Sequence, residues 1–472
     1  MTLQELRNKH ARFIYRSYNI SRVDEQMIIQ FEFVLESDIV FHPEVHIPYS
    51  GQVDESALFV FAFHLGMVEM ISYWKAACPA EIVIEAGVLS PEQIRFWNDL
   101  FLHGLGEFFY QNKIDFTQPN FIQIVNLAED ADTDMERNNA LKYDFRRTQI
   151  ARSFSTSGDL VLVGGGKDTA VTLSLLSRSG LPFSTMVVNP TEASLANIAA
   201  AGLPDPIKVT RVIDPQLLAL NNQGYLNGHT PFSAFLAFLG TLVASLYNKS
   251  HVLVSNERSA DEGNVVYRGL EINHQYSKSF RFEELFRSYC AKFLTSDIDY
   301  FSLLRPLNDV QISMLFSKHS EFFTTFRSCN VGSKTNTWCG KCAKCAFTYL
   351  VLYPHLSHEQ MIISFGQDLF VLPTIVRFIR ELVGLTAVKP FECVGTRDEA
   401  ILSLLLSITK YKSEAREIPE GLLLIKSDLG KTDEDVRRLK ESVIDHWGDT
   451  YNVTEEHLSL LRAAWTTVEA GI

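Results

Sequence analysis

Two stretches of this sequence hold residue types at spacings that could do chemistry. The first is Asp159-Leu-Val-Leu-Val-Gly-Gly-Gly-Lys-Asp-Thr169. Leu160 to Val163 read as a buried strand, Gly164, Gly165 and Gly166 allow a tight turn, and Asp168-Thr169 open an apolar-periodic helix. Such a loop aims unpaired N–H groups one way and adds the positive end of a helix dipole, a site for phosphate or pyrophosphate. A plain structural turn is the bland alternative. The second stretch is Cys329, Cys339, Cys342 and Cys345, spaced Cys-x9-Cys-x2-Cys-x2-Cys. Four thiolates close a tetrahedral Zn²⁺ shell, and the x2 spacing forms a knuckle whose N–H groups face sulfur. Lys341 and Lys344 would offset part of the thiolate charge. An iron–sulfur cluster competes, but the bacterial Cys-x2-Cys-x2-Cys-x3-Cys-Pro run is absent; unligated thiols are the third option. A closed four-cysteine shell has no open position, so a structural clip is expected. Cys78, Cys290 and Cys393 show no pairing logic.

The loop type follows by elimination. A Walker loop needs Gly-x-x-x-x-Gly-Lys-Ser/Thr, but Asp168 separates Lys167 from Thr169 and position 161 is Val. The dinucleotide fingerprint needs a third glycine where Thr169 stands. What remains resembles the pyrophosphate loop of the adenine nucleotide alpha-hydrolase superfamily, usually Ser-Gly-Gly-x-Asp-Ser, with Gly164 and Thr169 in place of the two serines. The resemblance implies cleavage of ATP to AMP and pyrophosphate with adenylation of a substrate.

These residues need elements to position them. Ile29 to Leu35 alternate as a half-buried antiparallel strand within 10–55, and 57–77 and 91–112 read as helices, the second capped by Ser90 with Pro91 first. Ile82 to Ala86 read as a strand, and the polar stretch Glu129 to Asn139 suggests a boundary near residue 150. From 158 to about 300, strands at 160–163, 184–188, 207–212 and 251–255 alternate with helices at 168–179, 191–201 and 231–248. This predicts an α/β fold: a doubly wound parallel sheet, with an N-terminal α+β domain, a four-Cys metal segment and a helical C-terminal tail. The expected divisions are 1–150, 151–300 for the ATP-binding core, 301–396 for the metal clip and substrate side, and 397–472 for the tail, which is read as packing or oligomerising. Ligands of such sheets sit at strand carboxyl ends. There the sequence places Gly164 to Thr169, Asn189 before Pro190, and Ser255-Asn256-Glu257-Arg258. By the superfamily's pattern Asn189 would face adenine and ribose, with turn chemistry as the bland alternative. Asn256 joins the ATP site, and Glu257 is a candidate for Mg²⁺, which favours one or two carboxylates plus phosphate oxygens.

Composition bounds the class. The 472 residues are 46% hydrophobic and 21% charged, ordinary for a globular protein with ample core. A net charge of −13 argues against a large nucleic-acid footprint, with a local basic patch left open. The apolar runs Ala57–Trp74, which contains His64 and Glu69, and Phe232–Tyr247 are expected to be buried helices, not membrane spans. The N-terminus lacks an apolar signal core, so a soluble, cytoplasmic protein is expected.

Further segments carry a closer resemblance: Gly66-Met-Val-Glu-Met-Ile-Ser-Tyr-Trp-Lys75, Leu105-Gly-Glu-Phe-Phe-Tyr110, Leu226-Asn-Gly-His-Thr-Pro-Phe-Ser-Ala234, Val254-Ser-Asn-Glu-Arg-Ser-Ala260, Asn273-His-Gln-Tyr-Ser-Lys278 and Lys389-Pro-Phe-Glu-Cys-Val-Gly395. With the glycine loop, they resemble the bacterial ATP-dependent UDP-N-acetylmuramoyl-L-alanyl-L-glutamate epimerase family. The resemblance implies a small-molecule UDP-muramoyl dipeptide as substrate, ATP and Mg²⁺, and an acyl-adenylate whose glutamate inverts before hydrolysis releases AMP. Lys167 would help stabilise the leaving pyrophosphate. His229, His274 and Lys278 are the catalytic candidates, each with a loop, capping or solvated role as the bland alternative. Lys278 and Arg258 could instead hold substrate carboxylates or diphosphate. Glu392 and Cys393 could serve racemisation, although a buried core turn is their commoner fate. An adenylating ligase or nucleobase-modifying enzyme of the same superfamily, and a nucleotide sensor binding ATP through Lys167, Asp168 and Glu257 without turnover, remain open.

Overall fold

A computed structural model of the protein describes residues 1–126 and 156–469; the polar stretch from Glu129 and the boundary expected near residue 150 lie outside the described residues. Its strands are β1 (Arg12–Val23), β2 (Gln26–Leu35), β3 (Ile39–Phe41), β4 (Glu44–Pro48), β5 (Glu81–Ile84), β6 (Gln123–Asn126), β7 (Asp159–Leu162), β8 (Phe183–Val188), β9 (Ile207–Val212), β10 (His251–Val254), β11 (Val265–Tyr267), β12 (Leu270–Ile272) and β13 (Asp299–Ser302). One large mixed sheet runs β13-β10-β7-β8-β9-β4-β2-β1-β5-β6, with β3 on β2. It is parallel from β13 to β9 and again over β1, β5 and β6. The join between the two parallel parts is antiparallel, because β4 pairs with both β9 and β2. The expected antiparallel N-terminal strand is present, and it extends the same sheet that carries the glycine loop.

The uninterrupted apolar runs of the central strands follow from burial on both faces. Leu160 and Leu162 of β7 join Val252 and Val254 of β10 in one core, with Phe235, Phe238 and Leu239 of the helix Phe232–Leu246. Val161 and Leu253, the alternate residues, face the other core with Val171 and Leu173 of the helix Lys167–Ser177. This is the strand's two-residue period made visible.

The helix Glu55–Glu69 and the turn Ile71–Trp74 make a 20-residue apolar stretch, but 89% of its most apolar window is buried inside the protein. Its polar members find partners there: His64 Nδ1 lies 2.8 Å from the Val60 carbonyl, and Glu69 pairs through one oxygen with Arg211 at 2.8 Å. The helix Pro91–Gly104 begins as the sequence predicts, with Ser90 and Gln93 in a reciprocal capping box.

Candidate active site

The strand order reverses around β7: β8 and β9 lie on one side, β10 on the other. The carboxyl ends of β7, β8 and β10 therefore open a crevice, as α/β sheets of this type do. A cavity of about 420 Å³ occupies it, lined by Gly164, Gly166, Asp168 and Thr169 after β7, Asn189 after β8, and Ser255 and Asn256 after β10.

Local geometry explains the glycines. Gly165 has φ +90, and a Cβ there would stand 2.9 Å from the Ser194 nitrogen. Only a residue without a side chain takes that conformation readily. At Gly164 a Cβ would meet nothing within 4 Å, consistent with its place on the cavity wall. Gly166 caps the helix Lys167–Ser177 without any side-chain hydrogen bond, so the helix N-terminus is left for an external acceptor. Lys167 takes a different place from the one expected. Its side chain is 3% exposed, and its ammonium is bonded to both Asp168 and Asp309. Burial disfavours that charge, but the two carboxylates outweigh it and raise the lysine's pKa. Lys167 thus fixes Asp168 and the first helical turn from behind. Asp309 is braced in turn, its N–H donating to Glu399 Oε1 at 2.6 Å from the C-terminal helix Arg397–Ser413.

Asn189 lines the cavity, but its side chain is committed. Its Nδ2 donates to the Arg211 carbonyl (3.0 Å) and its Oδ1 accepts from the Arg211 N–H (2.8 Å). These bonds, with φ +47, are the turn chemistry weighed for it. Glu257 is buried behind the wall, and burial together with Asp309 and Asp168 pushes its carboxyl up to about 7, against the pull of Lys278. Crowded carboxylates of this kind gain from a divalent cation.

Lys278 and Cys393 both line the cavity and contact one another. Burial would raise the Cys393 thiol, but Lys278, a hydrogen bond with His274 and the charge of Lys344 overcome it and bring the thiol down to about 5. His274 Nδ1 lies 2.5 Å from Glu107 Oε2. Burial alone would lower the His274 pKa; its bonds to Cys393 and Glu107 instead raise it to about 9. His229 stands beside it, ring centroids 4.4 Å apart and Nδ1 3.5 Å from the same Glu107 oxygen. Burial, with His274 and Lys75 nearby, lowers His229 to about 3. The three expected catalytic residues are thus brought together, with Lys278 on the cavity wall and the two histidines behind Cys393. Arg258 is directed away, its Nη2 bonded to the His446 carbonyl at 3.2 Å. Glu107 and Asp309 complete the cluster without having been singled out, and Lys344, expected only to offset thiolate charge in the knuckle, joins them. The quoted segment around Glu107 was the one available signal.

The four cysteines converge, their sulfurs all within 4.8 Å of one another. Cys329 and Cys342 are 3.9 Å apart, Cys339 and Cys345 3.8 Å. A tetrahedron with Zn–S bonds of about 2.3 Å has edges near ~3.8 Å, so a zinc ion fits the donor set. N–H groups of Gly332, Lys341 and Cys345 face the sulfurs of Cys329, Cys339 and Cys342 at 3.2, 3.4 and 3.4 Å. The knuckle also builds the cavity. Ser328 and Asn330 flank Cys329 on its wall, and Lys344 reaches from between Cys342 and Cys345 to the Cys393 carbonyl.

The chain also resembles known proteins over most of its length. The chain is 35% identical over 361 residues to the UDP-N-acetyl-alpha-D-muramoyl-L-alanyl-L-glutamate epimerase of a Micromonospora species, covering 75% of this chain and 76% of that protein. Proteins of the same name from Salinispora tropica and Xanthomonas oryzae are 34% and 32% identical, over 76% and 74% of this chain and 75% of each relative. Residues 4–303 match the MurL N-terminal domain and 324–424 the MurL C-terminal domain. With matches of that length on both sides of the crevice, the chain belongs to the MurL family.

Proposed function

We propose that the protein is an ATP-dependent epimerase that inverts the terminal L-glutamate of UDP-N-acetylmuramoyl-L-Ala-L-Glu, through an acyl-adenylate and with release of AMP and pyrophosphate, on an adenine nucleotide alpha-hydrolase-like core. The observation that carries this reading is one cavity with a phosphate loop on one wall and a Lys278–Cys393 pair on the other. The relatives' name supplies the substrate class.

The chemistry requires both walls. A free carboxylate beside the α-carbon leaves its C–H a very weak acid, since the carbanion would carry two negative charges. Attack of that carboxylate on the α-phosphorus of ATP expels pyrophosphate into the N–H groups around Gly164 to Thr169. The resulting mixed anhydride accepts enolate charge. A base then takes the α-proton, a proton returns to the opposite face, and water cleaves the anhydride to D-glutamate and AMP. Glu257 and Asp168 would hold Mg²⁺, which would neutralise phosphate charge there. Cys329, Cys339, Cys342 and Cys345 would hold zinc, whose contribution is to fold the wall that carries Ser328, Asn330 and Lys344.

The test is incubation with the UDP-muramoyl dipeptide, ATP and Mg²⁺ in D₂O, following AMP, pyrophosphate and α-deuterium. AMP together with deuterated D-glutamate is the expected result. AMP formed only when an amine is added would mark an adenylating ligase, and no AMP from folded protein would discard the proposal.

A further inference from the structure

The proposed reaction needs a base that shares a space with the adenylated carboxylate, and the cavity wall offers few. Its titratable residues are Asp168, Lys278, Arg327, Lys344 and Cys393. Arginine stays protonated. Lys278 is held as an ammonium by Cys393 and Glu257, against the cost of burial. Lys344 is committed to the Cys393 carbonyl. Asp168 is tied to Lys167, and its affinity for a proton is depressed. The remaining group is the Cys393 sulfur.

The surroundings of Cys393 hold it still and keep it ionised. Gln275 Nε2 donates to the Val394 carbonyl at 3.2 Å, Asn264 Nδ2 donates to the Pro390 carbonyl at 2.8 Å, and the buried Lys389 pairs with Glu262 at 2.9 Å. The segment is irregular but pinned on both sides of the cysteine. The charged and titratable groups that face the sulfur are the cations Lys278, His274 and Lys344 and, opposing them, the neighbouring Glu392 carboxylate. His274 is in turn oriented by Glu107 and neighboured by His229. A carboxylate, a histidine and a sulfur in series form the constellation that activates cysteine elsewhere in enzymes.

We propose that the Cys393 thiolate is the base that removes the α-hydrogen of the adenylated glutamate on one face, with His274 and Glu107 as positioning residues that hold it. This deepens the epimerase reading and rests on it. In the step the C–H electron pair moves into the anhydride carbonyl to give the enolate, and the proton bonds to sulfur. A proton from a second donor reaches the opposite face, and the thiol returns its own proton to solvent. No oxidant or further reactant is needed.

The full-length protein is compared with Cys393→Ser and Cys393→Ala in D₂O, with the dipeptide substrate, ATP and Mg²⁺. AMP and pyrophosphate release should persist within a few-fold, while α-deuteration falls about 100- to 10,000-fold, the range of a lost general base. Deuteration at the wild-type rate in either variant overturns the assignment. So does a hydroxylamine-sensitive acyl adduct on wild-type Cys393, which would make the sulfur a nucleophile. If the unaltered protein makes no AMP, the epimerase reading fails and the assignment falls with it; AMP in the unaltered protein with deuteration unchanged in the variants defeats the assignment alone. Should the variants misfold, iodoacetamide mapping of the native protein decides. Cys393 should alkylate before Cys78 and Cys290, with deuteration lost in proportion, and equal labelling of the three would refute the idea. For Glu107→Gln, the expected signature is an alkaline limb of deuteration moved to lower pH at unchanged AMP-forming KM, which a purely structural role would not produce.

Discussion

In the knuckle, Cys329, Cys339, Cys342 and Cys345 face one another, and backbone N–H groups from the same short stretch point at their sulfurs. At the cavity wall, Cys393 faces the side chains of His274, Lys278 and Lys344, none of them its neighbour in sequence. The first arrangement needs only local chain and a metal; the second exists only when several parts of the fold have come together. Sulfur in the first lies off the cavity wall, and in the second it belongs to it. The two are joined through Lys344, which leaves the knuckle and holds the Cys393 carbonyl. The four-cysteine cluster and the cavity cysteine are thus tied together by one side chain.

That difference predicts where damage spreads. Cys342→Ser should remove roughly a quarter of a structural zinc site's ~10–16 kcal/mol, on the order of 2.5–4 kcal/mol, and lower both metal content and Tm. ATP binding should weaken too, because Ser328, Asn330 and Lys344 lose their anchor. A variant with full metal and an unshifted Tm would end the idea of a clip. Gly165→Val comes next. Forcing φ +90 on a β-branched residue, with its Cβ 2.9 Å from the Ser194 nitrogen, should cost about 1–3 kcal/mol and abolish pyrophosphate release, while leaving the metal bound. Normal release would remove the phosphate role from this loop.

The pH dependence of deuteration should follow the Cys393–His274 pair. Cys393 is ionised above about 5, since the charges of Lys278, His274 and Lys344 outweigh burial. His274 is protonated below about 9, since Cys393 and Glu107 outweigh burial. α-Deuteration should therefore be flat between these values, falling below about 5 as the thiolate protonates and above about 9 as the imidazolium is lost. A single limb near the pKa of a free thiol, about 8.5, would contradict the thiolate–imidazolium pair.

The same contrast explains what could be read from the sequence. The strands β7 to β10, the helices between them, the glycine loop and the knuckle all declare themselves within short windows, through two- and 3.6-residue periods or fixed cysteine spacing. Those are local properties, and the structure places them close to the expected residues. Lys167 was legible as a loop residue but not as the partner of Asp309, which lies far along the chain. Glu399 stands in a region read as a helical tail, yet it braces Asp309. Cys393 was visible in Pro390-Phe-Glu-Cys, but a core turn was the better local account. Its partners His274 and Lys278 arrive only with the tertiary fold. The continuous sheet was illegible for the same reason, since the β4–β9 pairing has no signature in either strand alone.

A second carboxylate–histidine cluster supplies the sharpest control. Asp159 Oδ1 lies 2.8 Å from His251 Nδ1, and its Oδ2 lies 2.9 Å from His457 Nε2. In residue types this matches Glu107, His229 and His274, but Asp159 and His251 begin β7 and β10, at the end of the sheet opposite the cavity. His457 belongs to the C-terminal helix Glu455–Glu469, so the cluster ties that helix to the central strands. Burial opposes the Asp159 charge, yet the two histidines hold its pKa below the ordinary value. A depressed carboxylate stabilises the fold fully above its unfolded pKa of about 3.9 and loses that contribution as pH falls further. His457→Ala should therefore cost about 1–3 kcal/mol at neutral pH, the penalty for leaving a buried carboxylate oxygen unpaired. The deficit should shrink in acid unfolding titrations. Deuteration per folded molecule should be unchanged, because no atom of this cluster shares a space with the loop or with Cys393. If deuteration falls in His457→Ala while stability holds, carboxylate–histidine pairs at the two ends of the sheet are coupled, and separating them by position alone is mistaken.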